Sequence, residues 1–482
     1  MVWRKDASEN SGMMRVFEFL VALIIVAVIG VVAAVVMPSS GHVERSLVVA
    51  KDLRQVYDVL DNYRRLPDYS VLRSLDKDVK FSFSGKAFGP GSEISWDSSD
   101  AKVGKGSLTI ASAEPKFDQV NDTAKKGSIV WNLDNKWIGA DKHFTLGLKR
   151  EGSRGQLTEV TWAYDVSYGW NLVNRFANLY IHGDPDAFIQ FGLNNLQNVM
   201  AGVPNIDYSP LVPYIEQTQP TPVLLVSTSI NRKTGIDGLN DAVAKAKVQI
   251  EAAAKKLGVN ITGPRVLITT NYGDQTYTFD VAFPIDSSTL TVNGESEQLT
   301  AATPPSIADV TAEAAAPAEA SSTADVPNAK KVTIGGKDKL GRLIVDNNVR
   351  ATMAFGGAAL KGVWSGTFAG VPQIRDMLKA YSQTHGYKFD DVVHRSYDIL
   401  VTPEVTSDSG SITTYAKYEV YLPLTDATIT QTPEQEAGIK PPSLDDAHSD
   451  VPASSATAAA PAESSSAASP DKAHAGDASS RK

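Results

Sequence analysis

Residues able to do chemistry fall into two groups, one in each half of the chain. The first holds Trp96, Trp131, His143, Trp162 and Asp165. A two-residue alternation sends Trp162 and Tyr164 to one face of a strand and Thr161, Ala163 and Asp165 to the other. One expectation is an aromatic wall for an apolar ligand; the competing one is that the tryptophans fill a sheet–helix core. His143 is a candidate acid or base, against the plainer role of a surface histidine at a strand start. The second group holds Asp280 and Glu419, each between apolar neighbours near the end of a strand. Burial in a cleft raises a carboxylate's pKa and suits it to bind a cation or act as a general base. Glu419 is therefore the catalytic candidate. Trp364 and Tyr421 are candidate walls of the same cleft, with core packing as the alternative.

Other chemistry is excluded by type and spacing. The seven histidines are scattered, with no His-Glu-x-x-His and no pair at metal-ligand spacing, so no metal site is expected. Gly-x-Ser-x-Gly, P-loop and dinucleotide fingerprints do not occur, and no cofactor is expected. Gly104, Lys105 and Gly106 read as a turn. The absence of cysteine removes disulfides, thiolate nucleophiles and cysteine-held metals. A net charge of −9 disfavours nucleic acid as a partner.

The elements that must position these residues form two blocks. In residues 42–208, a strand at Val43–Val49 leads to a helix ending before Pro67. Six β-type runs separated by turns follow, from Val79–Ser84 to Glu159–Val166. A long helix starts at Asp184 and Pro185, with Phe188, Phe191, Leu196 and Val199 expected along one face. Strand, helix, antiparallel meander and terminal helix predict a curved sheet gripping a helix around a pocket. This block resembles the SRPBCC superfamily (START-like, polyketide cyclase/dehydrase). The resemblance lies in Ser46–Tyr69, in Gly89, Gly91, Trp96, Gly104 and Gly106, in Thr161 and Trp162, and in Phe191, Leu193, Asn194 and Leu196. It implies a pocket for a lipid or other hydrophobic small molecule.

The second block repeats itself. Residues 220–292 read strand, helix, strand, strand, and residues 329–426 read the same. Phe279-Asp-Val-Ala-Phe-Pro-Ile285 aligns with Tyr418-Glu-Val-Tyr-Leu-Pro-Leu424. Two such modules pair about a pseudo-two-fold axis and leave a groove. The arrangement resembles the GyrI-like domains that also serve as effector domains of AraC-type regulators. In that family a glutamate on the last strand meets the ligand; Glu419 matches it, and Asp280 is its counterpart in the other half. The fold class expected is thus α+β: a helix-grip antiparallel sheet plus a domain of duplicated modules, behind one transmembrane helix.

Residues 16–37 are almost entirely apolar and long enough to cross the ~30 Å hydrocarbon layer. They are longer than a signal-peptide core of roughly 7–15 residues. Residues 1–15 form a short N-terminal segment. Positive charge is nearly balanced around the span, with Arg4, Lys5 and Arg15 before it and Arg45, Lys51 and Arg54 after it. A single-pass protein of the bacterial inner membrane, its domains facing the periplasm, is expected. Residues 293–328 and 427–482, rich in Ala, Pro, Ser and acidic residues, read as a disordered linker and tail. The expected function is binding or sensing. The alternatives are a cyclase, dehydratase or small-molecule hydrolase with Glu419 as base, and a non-catalytic scaffold binding another envelope protein, the last signalled by pockets collapsed with bulky side chains.

Overall fold

The structure is a computed structural model describing residues 7–121, 123–304, 333–409, 411–426 and 428–441. Most of the expected linker and tail, and residues 1–6, lie outside the described residues. Helix α1 (Ala7–Val36) includes Met14–Val36, long and apolar enough to cross a membrane, a property shared by spans and signal sequences. Only Met37, Pro38 and Ser39 separate it from strand β1 (Ser40–Val49).

Strand β1 opens a seven-stranded antiparallel sheet. Its other strands are β2 (Lys80–Gly85), β3 (Ser92–Asp97), β4 (Lys105–Glu114), β5 (Lys126–Asn135), β6 (Ala140–Glu151) and β7 (Leu157–Ser167), in the order β1-β7-β6-β5-β4-β3-β2. Between β1 and β2 lie α2 (Leu53–Leu60), α3 (Leu66–Tyr69) and α4 (Leu72–Leu75). After β7 come a short α5 (Leu172–Arg175) and the long α6 (Asp184–Ala201). This is the α+β helix-grip arrangement. Helix α6 begins at Asp184 with Pro185 in its first turn, where a missing N–H is harmless. It buries Phe188, Ile189, Gly192, Leu193, Leu196 and Met200. Phe191, expected on that face, is exposed: the i, i+4 rows through Phe188 and Ile189 define the buried stripe, and Phe191 falls off it. Gly192 admits Trp162, since a Cβ there would stand 2.7 Å from the ring.

The second sheet has nine strands. Strands β8 (Tyr214–Thr218), β9 (Pro222–Asn231), β10 (Val266–Tyr272) and β11 (Thr276–Pro284) precede a separate hairpin, β12 (Thr289–Val292) and β13 (Glu295–Gln298). The turn and second strand of that hairpin occupy the start of the stretch expected as linker. Next come β14 (Leu343–Ile344), β15 (Val349–Met353), β16 (Gly357–Ser365) and β17 (Tyr397–Thr402). A two-stranded ribbon, β18 (Val405–Thr406) and β19 (Ile412–Thr414), precedes the last strand, β20 (Lys417–Pro423). Helices α7 (Gly235–Leu257) and α8 (Val371–Thr384) each follow the first strand of a module. The sheet order, β14-β15-β9-β11-β10-β17-β20-β16-β8, shows the duplication. One module lies as β9-β11-β10, the other as β17-β20-β16, and they meet where β10 pairs antiparallel with β17. The matched segments noted in the sequence are the middle strands, β11 and β20.

All eight residues of α2 are buried, including Arg54, Gln55 and Asp58. One hydrophobic core explains this. It runs from Tyr57, Trp131 and Trp162 through α2 into Leu360, Ile374, Leu378 and Tyr381 of the second module. The first module packs separately, Leu224, Phe279 and Val281 against Leu239, Ala246 and Ile250 of α7. The stretch expected as tail begins, in its described part, with a docked helix, α9 (Pro433–Glu436). Thr432, Pro433 and Glu434 are buried there.

Candidate functional site

Inside the grip the strand alternation sets Trp131, Phe144, Trp162 and Tyr164 inward from β5, β6 and β7. Their rings touch. Trp131 and Trp162 meet edge-on at 5.4 Å, Trp162 and Phe188 of α6 at 5.9 Å, and Phe144 stacks on Phe188 at 5.2 Å. Tyr63 closes one end against Trp131 at 5.3 Å. Such pairs contribute about 0.5–1.5 kcal/mol each beyond area burial. The space expected to be a pocket is therefore occupied by the tryptophans themselves. Trp96, also buried, packs over Gly106, where a Cβ would strike its ring.

His143 and Asp165 lie on the outer face of the same sheet. They are register partners, as are His42 and Asp165, so a row of His42, Asp165 and His143 crosses β1, β7 and β6. His42 Nδ1 is 2.7 Å from Asp165 Oδ1, and His143 Nε2 is 3.9 Å from Asp165 Oδ2. His42 is exposed, and His143 and Asp165 are half-buried. His42 went unnoticed in the sequence because only the β1–β7 register brings it there. Neither this row nor any other group of three such side chains among the described residues is placed to hold a metal ion.

On the second sheet, one row across the face away from the helices runs Asp280, Ile268, Tyr397, Tyr421, Lys361 and Tyr214. Glu419, two residues from Tyr421, shares this face. The chain itself supplies a cation to each candidate carboxylate. Lys361 Nζ lies 2.7 Å from Glu419 Oε1 and 2.9 Å from Glu216 Oε2, and 5.3 Å from the ring centres of both Tyr214 and Tyr421. Burial acts to lower the Lys361 pKa, but hydrogen bonds from its ammonium to Glu419, Tyr214, Glu216 and Tyr421 hold it above the ordinary lysine value. Tyr421 donates to Glu419 Oε2 at 2.9 Å and stacks on Tyr397 at 4.8 Å. Asp280 is buried and accepts from Arg342 Nη1 at 3.2 Å, while Arg342 Nε donates to Asp338 at 2.7 Å. Trp364, a candidate for the wall of the Glu419 cleft or for core packing, is on the opposite face. It pairs with Tyr418, and its indole N–H donates to the Thr367 carbonyl at 2.8 Å.

Two polar groupings escaped sequence reasoning. At the module junction Arg265 Nη2 donates to Asp398 Oδ2 at 3.1 Å, both buried. Where α2 meets α8 and α9, Arg54 Nε donates to Asp58 at 2.7 Å and Arg54 Nη2 to Glu434 at 3.3 Å. Tyr208 donates to Asp58 at 2.9 Å, and Tyr381 donates to Glu434. Burial raises the carboxyl pKa of Glu434 and, far more, of neighbouring Asp61. It pushes His385, stacked on Tyr381, down to about 4. The Arg54–Asp58 spacing of four was visible in the sequence; the other partners come from distant segments. A void of about 10 Å³ beside Asp58, Asp61 and His385 has room for about one water.

Larger space opens at the rim of the grip sheet. A cleft of about 200 Å³ lies between the α2–α3 turn, with Tyr63 and Arg64, and the β2–β3 hairpin, with Phe83, Lys86, Ser92 and Glu93. Phe83 is 54% exposed. In its wall, the hydroxyls of Tyr63 and Ser92 are buried with no hydrogen-bond partner among the described residues. Such groups are uncommon, and the indole N–H groups of Trp96, Trp131 and Trp162 in the grip are likewise buried without a hydrogen-bond partner among the described residues.

No protein-family model matches the chain, and no curated protein does. Among solved structures it is similar to the protein XoxI from Bacillus cereus, at 13% identity and TM-score 0.24, over 34% of this chain and 96% of that one. It is similar to norcoclaurine synthase from Thalictrum flavum, in complex with dopamine and hydroxybenzaldehyde, at 12% identity and TM-score 0.25, over 35% and 90%. A hypothetical protein of Helicobacter pylori, jhp0584, aligns at 11% identity and TM-score 0.24, over 33% and 86%. At these values the fold rests on this chain's own strands and side chains.

Proposed function

We propose that this chain is a membrane-anchored binding protein that works without a catalytic centre and takes a small, partly apolar ligand at the rim of its grip sheet. One contrast carries the reading. Inside the grip, Trp131, Phe144, Trp162 and Phe188 touch one another; at the rim, Tyr63, Phe83 and Ser92 border open space of about 200 Å³. That volume is below the roughly 300–1,000 Å³ of drug-sized pockets, which favours a small molecule over a lipid chain. In this reading the grip is an SRPBCC relative and the duplicated sheet a GyrI-like one. The cation position beside Glu419 is already filled by Lys361, so Glu419 holds that lysine and does not serve as a base. Helix α1 anchors the chain in a bacterial inner membrane with its folded part in the periplasm.

The test is mass spectrometry of small molecules released from the full-length protein purified in detergent. Ser84, exposed at the cleft, is replaced by Trp to fill it. A ligand present in the wild type and lost from Ser84→Trp is expected; one retained by the variant overturns the reading.

A second reading is favoured by the same rim. Strand β2 is a sheet edge with five of its six residues exposed, which suits a protein partner that adds a strand. A photoreactive side chain at Ser82 then crosslinks to a peptide, and no small ligand is released.

A further inference from the structure

Apolar side chains cluster where α1 meets the folded part of the chain. Trp170 is 92% exposed, Val173 78%, Leu179 64% and Tyr180 75%. All belong to the segment between β7 and α6. Single exposed apolar residues are ordinary, whereas four within eleven positions mark an interaction surface. The segment is also firmly held. Buried Arg175 donates from Nε to the Gly169 carbonyl at 3.0 Å and lies 5.6 Å from the ring centre of Trp170. Its Nη1 reaches the carbonyls of Val35 at 3.2 Å and Met37 at 3.4 Å, at the C-terminal end of α1, where a cation complements the helix dipole. The amides of Tyr168 and Gly169 bond to the Ser39 carbonyl. A Cβ on Gly41 would meet Tyr168, Asn178 and Ile181, so the segment packs tightly on β1.

From this we infer that residues 169–180 form a collar that inserts into the lipid interface around the exit of α1. Trp170 and Tyr180 sit at headgroup depth, where amphipathic rings are favoured, and Val173 and Leu179 reach the acyl boundary. The occupant is the bilayer surface because the collar is tied by Arg175 to the last carbonyls of an exposed apolar helix. The inference rests on reading α1 as a membrane span. It goes further by fixing the grip sheet to the bilayer at two points, so that the sheet cannot swing on a linker.

The chain contains no cysteine, so single cysteines report depth directly. Full-length Val173→Cys, Leu179→Cys, Ile25→Cys and Val405→Cys are labelled with a polarity-sensitive fluorophore in vesicles of phosphatidylcholine and phosphatidylglycerol. Quenching by iodide is compared with quenching by lipids bearing a doxyl group near the headgroup or deep in the chain. The collar predicts that labels at 173 and 179 are quenched by the shallow doxyl lipid and severalfold less by iodide than the label at 405. The label at 25 is then quenched by the deep lipid. Deep quenching at 25 with iodide quenching alone at 173 and 179 overturns the collar and leaves the anchor standing. Iodide quenching at 25 overturns both.

Discussion

Lys361 occupies the place that a cationic ligand of Glu419 would take, between two carboxylates and two tyrosine rings. Replacing it by Met leaves Glu419 and Glu216 facing each other without their cation, and unpaired charges in a half-buried site cost about 1–3 kcal/mol. Thermal unfolding should show that loss in Lys361→Met, with part of it recovered in Lys361→Met/Glu419→Gln. Strictly additive losses would contradict the pairing. His385 makes a pH-dependent contribution. Burial disfavours its imidazolium and holds its pKa at about 4 against an ordinary 6.5, with Asp58 and the Tyr381 carbonyl opposing and Arg54 and Arg64 adding to the depression. Between those values the unfolded chain takes up a proton that the folded chain refuses. This contribution to stability therefore falls as pH drops from about 6.5 to about 4, by about 3 kcal/mol in full. Asp61, Asp398 and Glu434, whose carboxyl pKa values are raised by burial, act the other way, losing stability as pH rises. The informative quantity is thus the difference between wild type and His385→Gln. Wild type should lose ground to the variant on acidification, and a pH-independent difference would rule the effect out.

At the scale of elements, α9 shows how a short segment is held. Thr432 and Gln435 form a capping box, and Thr432 Oγ1 also donates to the Pro213 carbonyl at 3.0 Å. Thr432→Ala removes the cap and leaves that carbonyl without its donor, a loss of about 1–2 kcal/mol in chemical denaturation. An unchanged midpoint would mean that α9 adds nothing to stability. Composition hid this helix, because residues 427–441 blend into the Pro- and Ala-rich stretch beyond them. The duplicated modules were legible for the opposite reason. Strands β11 and β20 are middle strands, largely buried on both faces, so their apolar runs and the prolines that end them stand out. The meander and α6 were legible from turns and from Asp184-Pro185. What periodicity could not convey was which large side chains fill the grip. An inward tryptophan reads the same whether it walls a cavity or meets another ring. The α2 network was equally hidden, since Arg54 and Glu434 are 380 residues apart.

Over the whole molecule, α2 is shared. It lies under the grip sheet on one side and against α8 on the other, and a single core passes through it. The two halves are therefore joined through packed rings and a buried ion pair, and the rim cleft begins at Tyr63, three residues beyond that helix. A ligand in the proposed cleft would therefore lie against the turn that follows the shared helix. The most direct test is an experimental density map of the full-length protein purified with whatever it binds. Binding at the rim predicts rings of Trp131, Phe144, Trp162 and Phe188 in mutual contact and added density against Tyr63, Phe83 and Ser92. Ligand density between the sheet and α6, with those rings driven apart, would contradict it.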